Sequence, residues 1–187
     1  MPVFEYGIPS NILIGSDITN RIGEIVNTLG DKVLVVLENS KYIIDGGIGS
    51  KIEASLNIFT ENVIVFDEIE RNANNPNKIE SLKEVVKASR PDVIVGVGGY
   101  HVLSVAKTVA SIYDKILTSE SQYKRWYSQK RRKRVSYVEV PITFGIIPGI
   151  SSLSFIYDPD FGARNIYVDI FSYADAIIFD TSLISVL

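Results

Sequence analysis

Two adjacent glycines, Gly98 and Gly99, stand between an apolar run and a stretch with helical periodicity. The run Asp92–Val97 predicts a buried β-strand, and the stretch after the glycines predicts a helix to about Tyr113. Glycines at this point let backbone N–H groups approach a phosphate, because the amino end of a helix favours an anion. The pattern indicates a phosphate-binding turn, although a plain tight turn explains the same two residues.

A carboxylate and an imidazole are placed to contact a ligand at such a turn. Glu38 follows another apolar run, at the end of a strand where open parallel sheets bind a ribose diol; a solvated loop carboxylate is the alternative. His101, the single histidine, lies in the first helical turn, in line with Ser104, Thr108 and Ser111. We expect this polar stripe to face the cleft, with His101 acting as a base or phosphate ligand, or else bonding only to the loop.

A basic segment between residues 124 and 134 contains seven positive charges, although the net charge of the chain is −3. Its cations could neutralise phosphates while Trp126 and Tyr127 stack on bases, as in nucleic-acid binding. A solvated helix or loop is favoured, because one local run on an otherwise acidic protein is not a basic face. The candidate nucleic-acid contacts are Lys124, Arg125, Arg131 and Arg132.

Composition excludes several classes of site. The 187 residues include no cysteine and one histidine, which excludes disulfides, thiolate metal sites and a histidine-rich metal cage within this chain. We therefore expect no metal in this chain and assign no catalytic residue. The sequence has neither a run long enough for a membrane span nor a signal-peptide pattern, so we expect a cytoplasmic protein without membrane contact.

Short apolar runs alternate with amphipathic stretches through most of the chain, which is typical of strands joined by crossover helices. Ser16 or Asp17 is expected to cap a helix over Ile18–Leu29, and Asn75 to begin a helix that ends near Ser89. The predicted strands are Lys32–Leu37, Asn62–Phe66, Asp92–Val97, Ser136–Val140, Leu153–Tyr157, Ile166–Val168 and Ala176–Phe179.

These elements predict a doubly wound, mostly parallel α/β fold of the Rossmann-like type, in one domain over residues 1–187. The segments that follow the strands should converge on one cleft, because ligands bind beyond the carboxyl ends of strands in open parallel sheets. Those segments are 38–40, 67–72, 98–101 and 141–152.

Taken together, these segments resemble the amino-terminal nucleotide-binding domain of the iron-containing alcohol dehydrogenase and dehydroquinate synthase superfamily, especially its glycerol-1-phosphate and glycerol dehydrogenases. The resemblance covers nearly the whole chain, and the order and spacing of the motifs carry it. The matching segments are Asn11–Gly15, Val63–Asp67 with Asn72, Asp92–Gly99, Ala106-Lys107, Val140-Pro141, Gly149–Ser152 and Ile177–Thr181. It implies that NAD or NADP binds at the glycine turn.

The chain departs from the family pattern around this turn. Tyr100 and His101 replace a third glycine and a serine, so a large side chain stands where the family backbone meets pyrophosphate. The helix aspartate of the family falls on Ser104, the threonine-rich loop is kept only in part, as at Thr143, and residues 118–134 look like a basic insertion. The candidate cofactor-binding residues are Glu38, Gly98, Gly99, Tyr100, His101, Ser104 and Thr143.

Family enzymes also carry a helical domain that supplies an aspartate and histidines to iron or zinc, and the resemblance ends before it. We expect a diverged, stand-alone domain that binds a nucleotide or phosphorylated small molecule, without dehydrogenase activity alone. The alternatives are half of an NAD(P)-dependent polyol or glycerol-1-phosphate dehydrogenase completed by a missing metal domain, and an interaction or nucleic-acid-binding protein. The face left open by the absent domain predicts a homo-oligomer or a heteromeric complex.

Overall fold

The computed structural model describes residues 8–70, 75–112, 134–143, 149–158, 162–168 and 172–184. Its strands are β1 Asn11–Gly15, β2 Val33–Asn39, β3 Val63–Glu70, β4 Val93–Gly98, β5 Ser136–Pro141, β6 Leu153–Asp158, β7 Ala163–Val168 and β8 Ala176–Asp180. Six of them form a parallel sheet in the order β1-β8-β5-β4-β2-β3, and β6 pairs with β7 in an antiparallel hairpin. The predicted Rossmann-like fold is confirmed.

Within the described ranges, five α-helices flank the sheet. They are α1 Ile22–Asn27, α2 Lys41–Asp45, α3 Ile48–Leu56, α4 Pro76–Ser89 and α5 Tyr100–Ile112, and a 3₁₀ helix, Ile18–Arg21, leads into α1. The predicted beginning of α4 is confirmed, because the Asn75 side chain accepts a hydrogen bond from Lys78 N–H at 3.2 Å. None of the helices in the described ranges has the length and apolar character needed to cross a membrane.

Both faces of the sheet are covered, each by its own apolar cluster. In β2, Leu34 and Val36 pack with residues of α4 and α5, whereas Val33 and Val35 pack with residues of α1, α2 and α3. Strands β2, β4 and β5 are buried over almost their whole length. This burial on two faces explains their nearly continuous runs of Val, Ile and Leu.

The direction of the chain across the sheet reverses between β2 and β4. From β2 the chain passes through α3 to the edge strand β3, and then returns through α4 to β4 on the other side of β2. The helices that follow β2 and β4 therefore lie on opposite faces, which opens a crevice beyond the carboxyl ends of these two strands. Ligands of doubly wound sheets bind in such a crevice.

The seven predicted strands are all present, with two differences at the edges of the sheet. Strand β3 continues to Glu70, so Asp67 lies within the strand and not in the loop predicted there, because Ile69 and Glu70 still pair with β2. Strand β1 was not predicted as a strand. Its residues are mostly exposed, so the pattern of a buried strand is weak there.

The predicted capping of the first helix by Ser16 or Asp17 is wrong. Asp17 has a positive φ of 56°, and its side chain makes no capping hydrogen bond. Asp180, at the end of β8, instead accepts from the N–H groups of Asp17 and Thr19 at 2.9 and 3.0 Å, and from the hydroxyls of Thr19 and Ser182. Burial raises the pKa of Asp180, but the hydrogen bonds from Ser182 and Thr19 outweigh it and bring the pKa to about 2.

Asp180→Asn should lower the free energy of unfolding at neutral pH by about 2 kcal/mol, because an amide cannot accept all of these hydrogen bonds. The carboxylate contributes fully above the ordinary aspartate pKa of 3.8, and its contribution is lost as the pH falls through about 2. Urea denaturation as a function of pH measures both effects, with the exposed Asp67→Asn as the matched control. An unchanged acid limb in Asp180→Asn would contradict this role.

Candidate functional site

The turn between β4 and α5 requires glycine. Gly98 has a φ of 151°, and a Cβ added to it would lie 2.8 Å from the Cβ of Glu38. A Cβ on Gly99 would lie 3.1 Å from Glu38 Oε2. The two glycines therefore allow the Glu38 side chain to approach the backbone of the turn.

Glu38 lies near the end of β2 and reaches across to this turn. Its Oε2 accepts a hydrogen bond from Gly99 N–H at 2.8 Å, and the side chain is only 5% exposed. Helix α5 begins with the next residue, so the carboxylate lies at the positive end of the helix dipole. The structure thus brings Glu38, Gly98 and Gly99 together in the crevice between β2 and β4.

The first turn of α5 carries two aromatic side chains, Tyr100 and His101. The ring centroids of Tyr100 and His101 lie 3.7 Å apart, with 37° between the ring planes. The rings of Tyr100 and Phe155 of β6 are nearly perpendicular, in an edge-to-face arrangement with 6.4 Å between centroids. His101 is buried and Tyr100 half-buried, so the Tyr100 ring is packed between α5 and β6.

The hydroxyl groups of the polar stripe along α5 are buried and do not line an open cleft. Ser104 is fully buried, and its Oγ accepts a hydrogen bond from Phe155 N–H at 3.2 Å. The hydroxyls of Thr108 and Ser111 donate to backbone carbonyls one turn earlier in α5, at 2.7 and 3.0 Å. These three hydroxyls are thus used inside the protein, which corrects the expectation that the stripe lines the cleft.

Thr143 lies on the same edge of the sheet as the glycine turn. Ile142 N–H donates to Gly98 O at 3.2 Å, and Thr143 Oγ1 lies 4.0 Å from the position that a Cβ on Gly99 would take. The segment after β5 therefore passes directly beside the turn. Residues 144–148 of that segment lie outside the described residues.

A buried polar cluster under α5 was missed by the sequence reasoning. Lys107 of α5 and Glu139 of β5 are fully buried, with 3.4 Å between Nζ and Oε1, and Tyr137 lies beside them. Burial raises the pKa of Glu139 to about 7 despite the opposing charge of Lys107, and burial lowers the pKa of Lys107. The available signal was a single glutamate within an otherwise apolar strand.

The predicted nucleic-acid contacts Lys124, Arg125, Arg131 and Arg132 lie outside the described residues. Arg134, which ends the basic run, forms a bidentate ion pair with Asp175 at 2.7 and 2.8 Å.

Metal coordination needs several acidic, histidine or cysteine side chains around one point. Among the described residues no three such side chains form a group that could hold an ion. The part of the chain that the structure describes therefore does not fit the iron or zinc that the resemblance implies for complete enzymes.

The sequence model of the family described as iron-containing alcohol dehydrogenase matches residues 9–181. The chain belongs to the iron-containing alcohol dehydrogenase family. This confirms the resemblance inferred from the motifs.

Among curated relatives, the glycerol-1-phosphate dehydrogenase [NAD(P)+] of Picrophilus torridus is 28% identical over 94% of this chain and 41% of its own length. The NADH-dependent butanol dehydrogenase B of Clostridium acetobutylicum is 32% identical over 58% of this chain and 27% of its own length. The chain thus spans less than half the length of these relatives.

Solved structures share the fold. The NADH-dependent butanol dehydrogenase A of Thermotoga maritima superposes with a TM-score of 0.83 at 20% identity, over 98% of this chain and 45% of that chain. The sulfoacetaldehyde reductase of Bifidobacterium kashiwanohense in complex with NAD+ superposes with a TM-score of 0.79 at 19% identity, over 98% of this chain and 47% of that chain.

Gly98→Ala should lower the free energy of unfolding by about 2 kcal/mol, because alanine disfavours this φ and its Cβ collides with Glu38. Guanidinium denaturation measures the loss. Gly15→Ala is the matched control at the end of β1, where a Cβ would meet only Ile18 Cβ at an ordinary 3.8 Å. Equal losses in the two variants would show that the turn has no special requirement for glycine.

Proposed function

We propose that this chain binds a nucleotide, with NAD or NADP as the ligand class, in the crevice between the carboxyl ends of β2 and β4. The observation that carries the proposal is the contact of Glu38 Oε2 with Gly99 N–H at 2.8 Å, at the amino end of α5. A carboxylate for a ribose diol and a glycine turn for a pyrophosphate are the two parts that doubly wound sheets use for dinucleotides. Here adjacent strands supply both parts.

The relatives support a dinucleotide as the ligand. The glycerol-1-phosphate dehydrogenase of P. torridus carries NAD(P)+ in its name, and the B. kashiwanohense reductase was solved with NAD+. We extend this ligand class to the present chain because its crevice retains the turn and the carboxylate. Gly98, Gly99 and Glu38 would therefore be the principal contacts, with Thr143 beside them.

Ligand binding would exchange the partner of Glu38. The carboxylate accepts the Gly99 N–H that a phosphate oxygen would take, and the two anions cannot share one amide. In the proposed complex the phosphate takes the amide, and the Glu38 carboxylate turns to the ribose hydroxyls. Tyr100 and His101 would lie beside the phosphate. Ser104 would contribute indirectly, by holding the Phe155 backbone through the hydrogen bond that it accepts from the Phe155 N–H.

We further infer that the chain alone does not catalyse hydride transfer, because its described residues do not assemble a metal site. A second candidate function is the nucleotide-binding half of an NAD(P)-dependent polyol or glycerol-1-phosphate dehydrogenase. The match to the P. torridus enzyme over 94% of this chain favours it. In both candidate functions the chain would form a homo-oligomer or a heteromeric complex. The edge strand β1, where Ile14 is 71% exposed, offers a surface for such a contact.

NAD should raise the thermal stability of the chain. At a free concentration of 100 times its dissociation constant, a ligand that binds only the folded state stabilises it by about 2.7 kcal/mol. Calorimetric melts with NAD, NADP and ATP at increasing concentration measure the effect. Unchanged melting temperatures with all three ligands would contradict nucleotide binding.

Glu38→Gln should reduce the discrimination between NAD and NADP. The carboxylate accepts ribose hydroxyls and repels a 2′-phosphate, so the parent protein should bind NAD about tenfold more tightly than NADP. Isothermal titration calorimetry gives the ratio of the two dissociation constants. Glu61→Gln, an exposed residue before β3, provides the same change of charge as a control. The proposed role of Glu38 fails if this ratio is the same in both variants.

A further inference from the structure

Lys107 lies in the middle of α5 and reaches the beginning of the β6–β7 hairpin. Its Nζ donates to Ser151 O at 2.8 Å, two residues before β6, and lies 3.4 Å from Glu139 Oε1. Both Lys107 and Glu139 are 0% exposed. A buried ammonium group thus connects the central strand β5 to the segment that leads into the hairpin.

The hairpin is attached to α5 at a second point, one helical turn nearer the glycine turn. Phe155 N–H donates to Ser104 Oγ at 3.2 Å, and the Phe155 ring meets the ring of Tyr100. Strand β6 therefore runs back along α5 from Lys107 towards Tyr100. Because Ser151 and Phe155 belong to the same short segment, the hydrogen bond that holds Ser151 also constrains the position of Phe155. Phe155 in turn packs against Tyr100, which borders the proposed nucleotide crevice.

The buried ion pair has no evident advantage for stability. Burying two charges costs desolvation energy, and well-packed apolar residues of similar volume are often at least as stable. Within the described residues neither carboxylate oxygen of Glu139 receives a hydrogen bond. The backbone makes room for this group, because a Cβ on Gly96, the β4 neighbour of Glu139, would lie 2.8 Å from the Tyr137 hydroxyl.

We propose that Lys107 and Glu139 are a positioning pair that holds the β6–β7 hairpin on α5 and thereby fixes Tyr100 beside the nucleotide crevice. The second half of this statement rests on the proposed function. Lys107 supplies the hydrogen bond to the Ser151 carbonyl, and Glu139 is the buried polar group on β5 against which the Lys107 Nζ packs at 3.4 Å.

The attachment of the hairpin should depend on pH. The titratable groups of the described residues that face Glu139 are Lys107 from α5 and Tyr137 from β5, while the neighbouring strands β4 and β8 place Gly96 and Ile177 beside it. Burial raises the pKa of Glu139 from 4.5 to about 7. Burial disfavours the ionised carboxylate, so ionisation of Glu139 works against the packing around it, and the attachment of the hairpin should weaken as the pH rises through about 7.

Hydrogen exchange of the Phe155 amide tests the proposal directly, because this N–H is the one bonded to Ser104. Lys107→Met, a change of similar volume, should lower the protection of this amide about tenfold or more while leaving the Val35 amide in β2 protected. Lys83→Met is the matched control, since Lys83 is also buried but is bonded to Glu80 within α4. Equal protection of Phe155 in the two variants, relative to Val35, would overturn the proposal.

The pH profile separates positioning from a purely structural role. Between about pH 6 and about pH 8 the protection of Phe155 relative to Val35 should fall in the parent protein and stay constant in Glu139→Gln. Identical profiles in both would overturn the proposal. If Lys107→Met does not fold, the double variant with Glu139→Gln, which removes both buried charges, takes its place in the exchange experiment.

The same samples distinguish the two proposals. NAD affinity should fall in Lys107→Met by a larger factor than in Lys83→Met, since only the former releases Phe155 and Tyr100. Absence of NAD binding to the parent protein would contradict the proposed function, while the exchange of the Phe155 amide would still decide whether the pair positions the hairpin.

Discussion

The hydrogen bond from Gly99 N–H to the Glu38 carboxylate is the interaction around which the crevice is built. It joins the two strands at which the chain reverses direction, β2 and β4. It requires a glycine at position 98, because that residue has a positive φ and no space for a Cβ beside Glu38. The segment after β5 is aligned to the same turn through the bond from Ile142 N–H to Gly98 O. A ligand that enters here meets a carboxylate, a helix dipole and a glycine turn at one point.

Much of this arrangement follows from local sequence patterns. The apolar runs identify the buried strands, and Asn75 before Pro76 identifies the start of α4, because burial on two faces and helix capping both leave short-range signals. The proximity of Glu38 to Gly98 and Gly99 could be predicted from the rule that the carboxyl ends of parallel strands share an edge.

The remaining features depend on partners that are distant in sequence. Asp180 caps the first helix by accepting a hydrogen bond from the N–H of Thr19, which lies 161 residues earlier in the sequence. No local pattern around Asp17 could therefore reveal this cap. Glu139 and Lys107 each look like an isolated charge in an apolar element, and only the packing of α5 on β5 makes them a pair. The extension of β3 to Glu70 likewise depends on pairing with β2 and not on its own polar sequence.

The departures from the family pattern gain a physical meaning in this structure. Tyr100 and Ser104, at which the sequence is expected to depart from the family pattern, both contact Phe155 of β6, one through its ring and the other through its hydroxyl. These two side chains therefore attach the hairpin to α5 beside the glycine turn. The contacts that hold the hairpin do not involve Glu38 or Gly99. The attached hairpin and the glycine turn are therefore compatible in this member of the iron-containing alcohol dehydrogenase family.

The most direct measurement is an NMR titration of the isotopically labelled chain with NAD, following the backbone amide resonances. The amide of Gly99 exchanges a carboxylate partner for a phosphate in the proposed complex, so its resonance should shift most, together with those of Gly98 and Tyr100. A Gly99 resonance that stays unchanged at saturating NAD would contradict nucleotide binding at this turn.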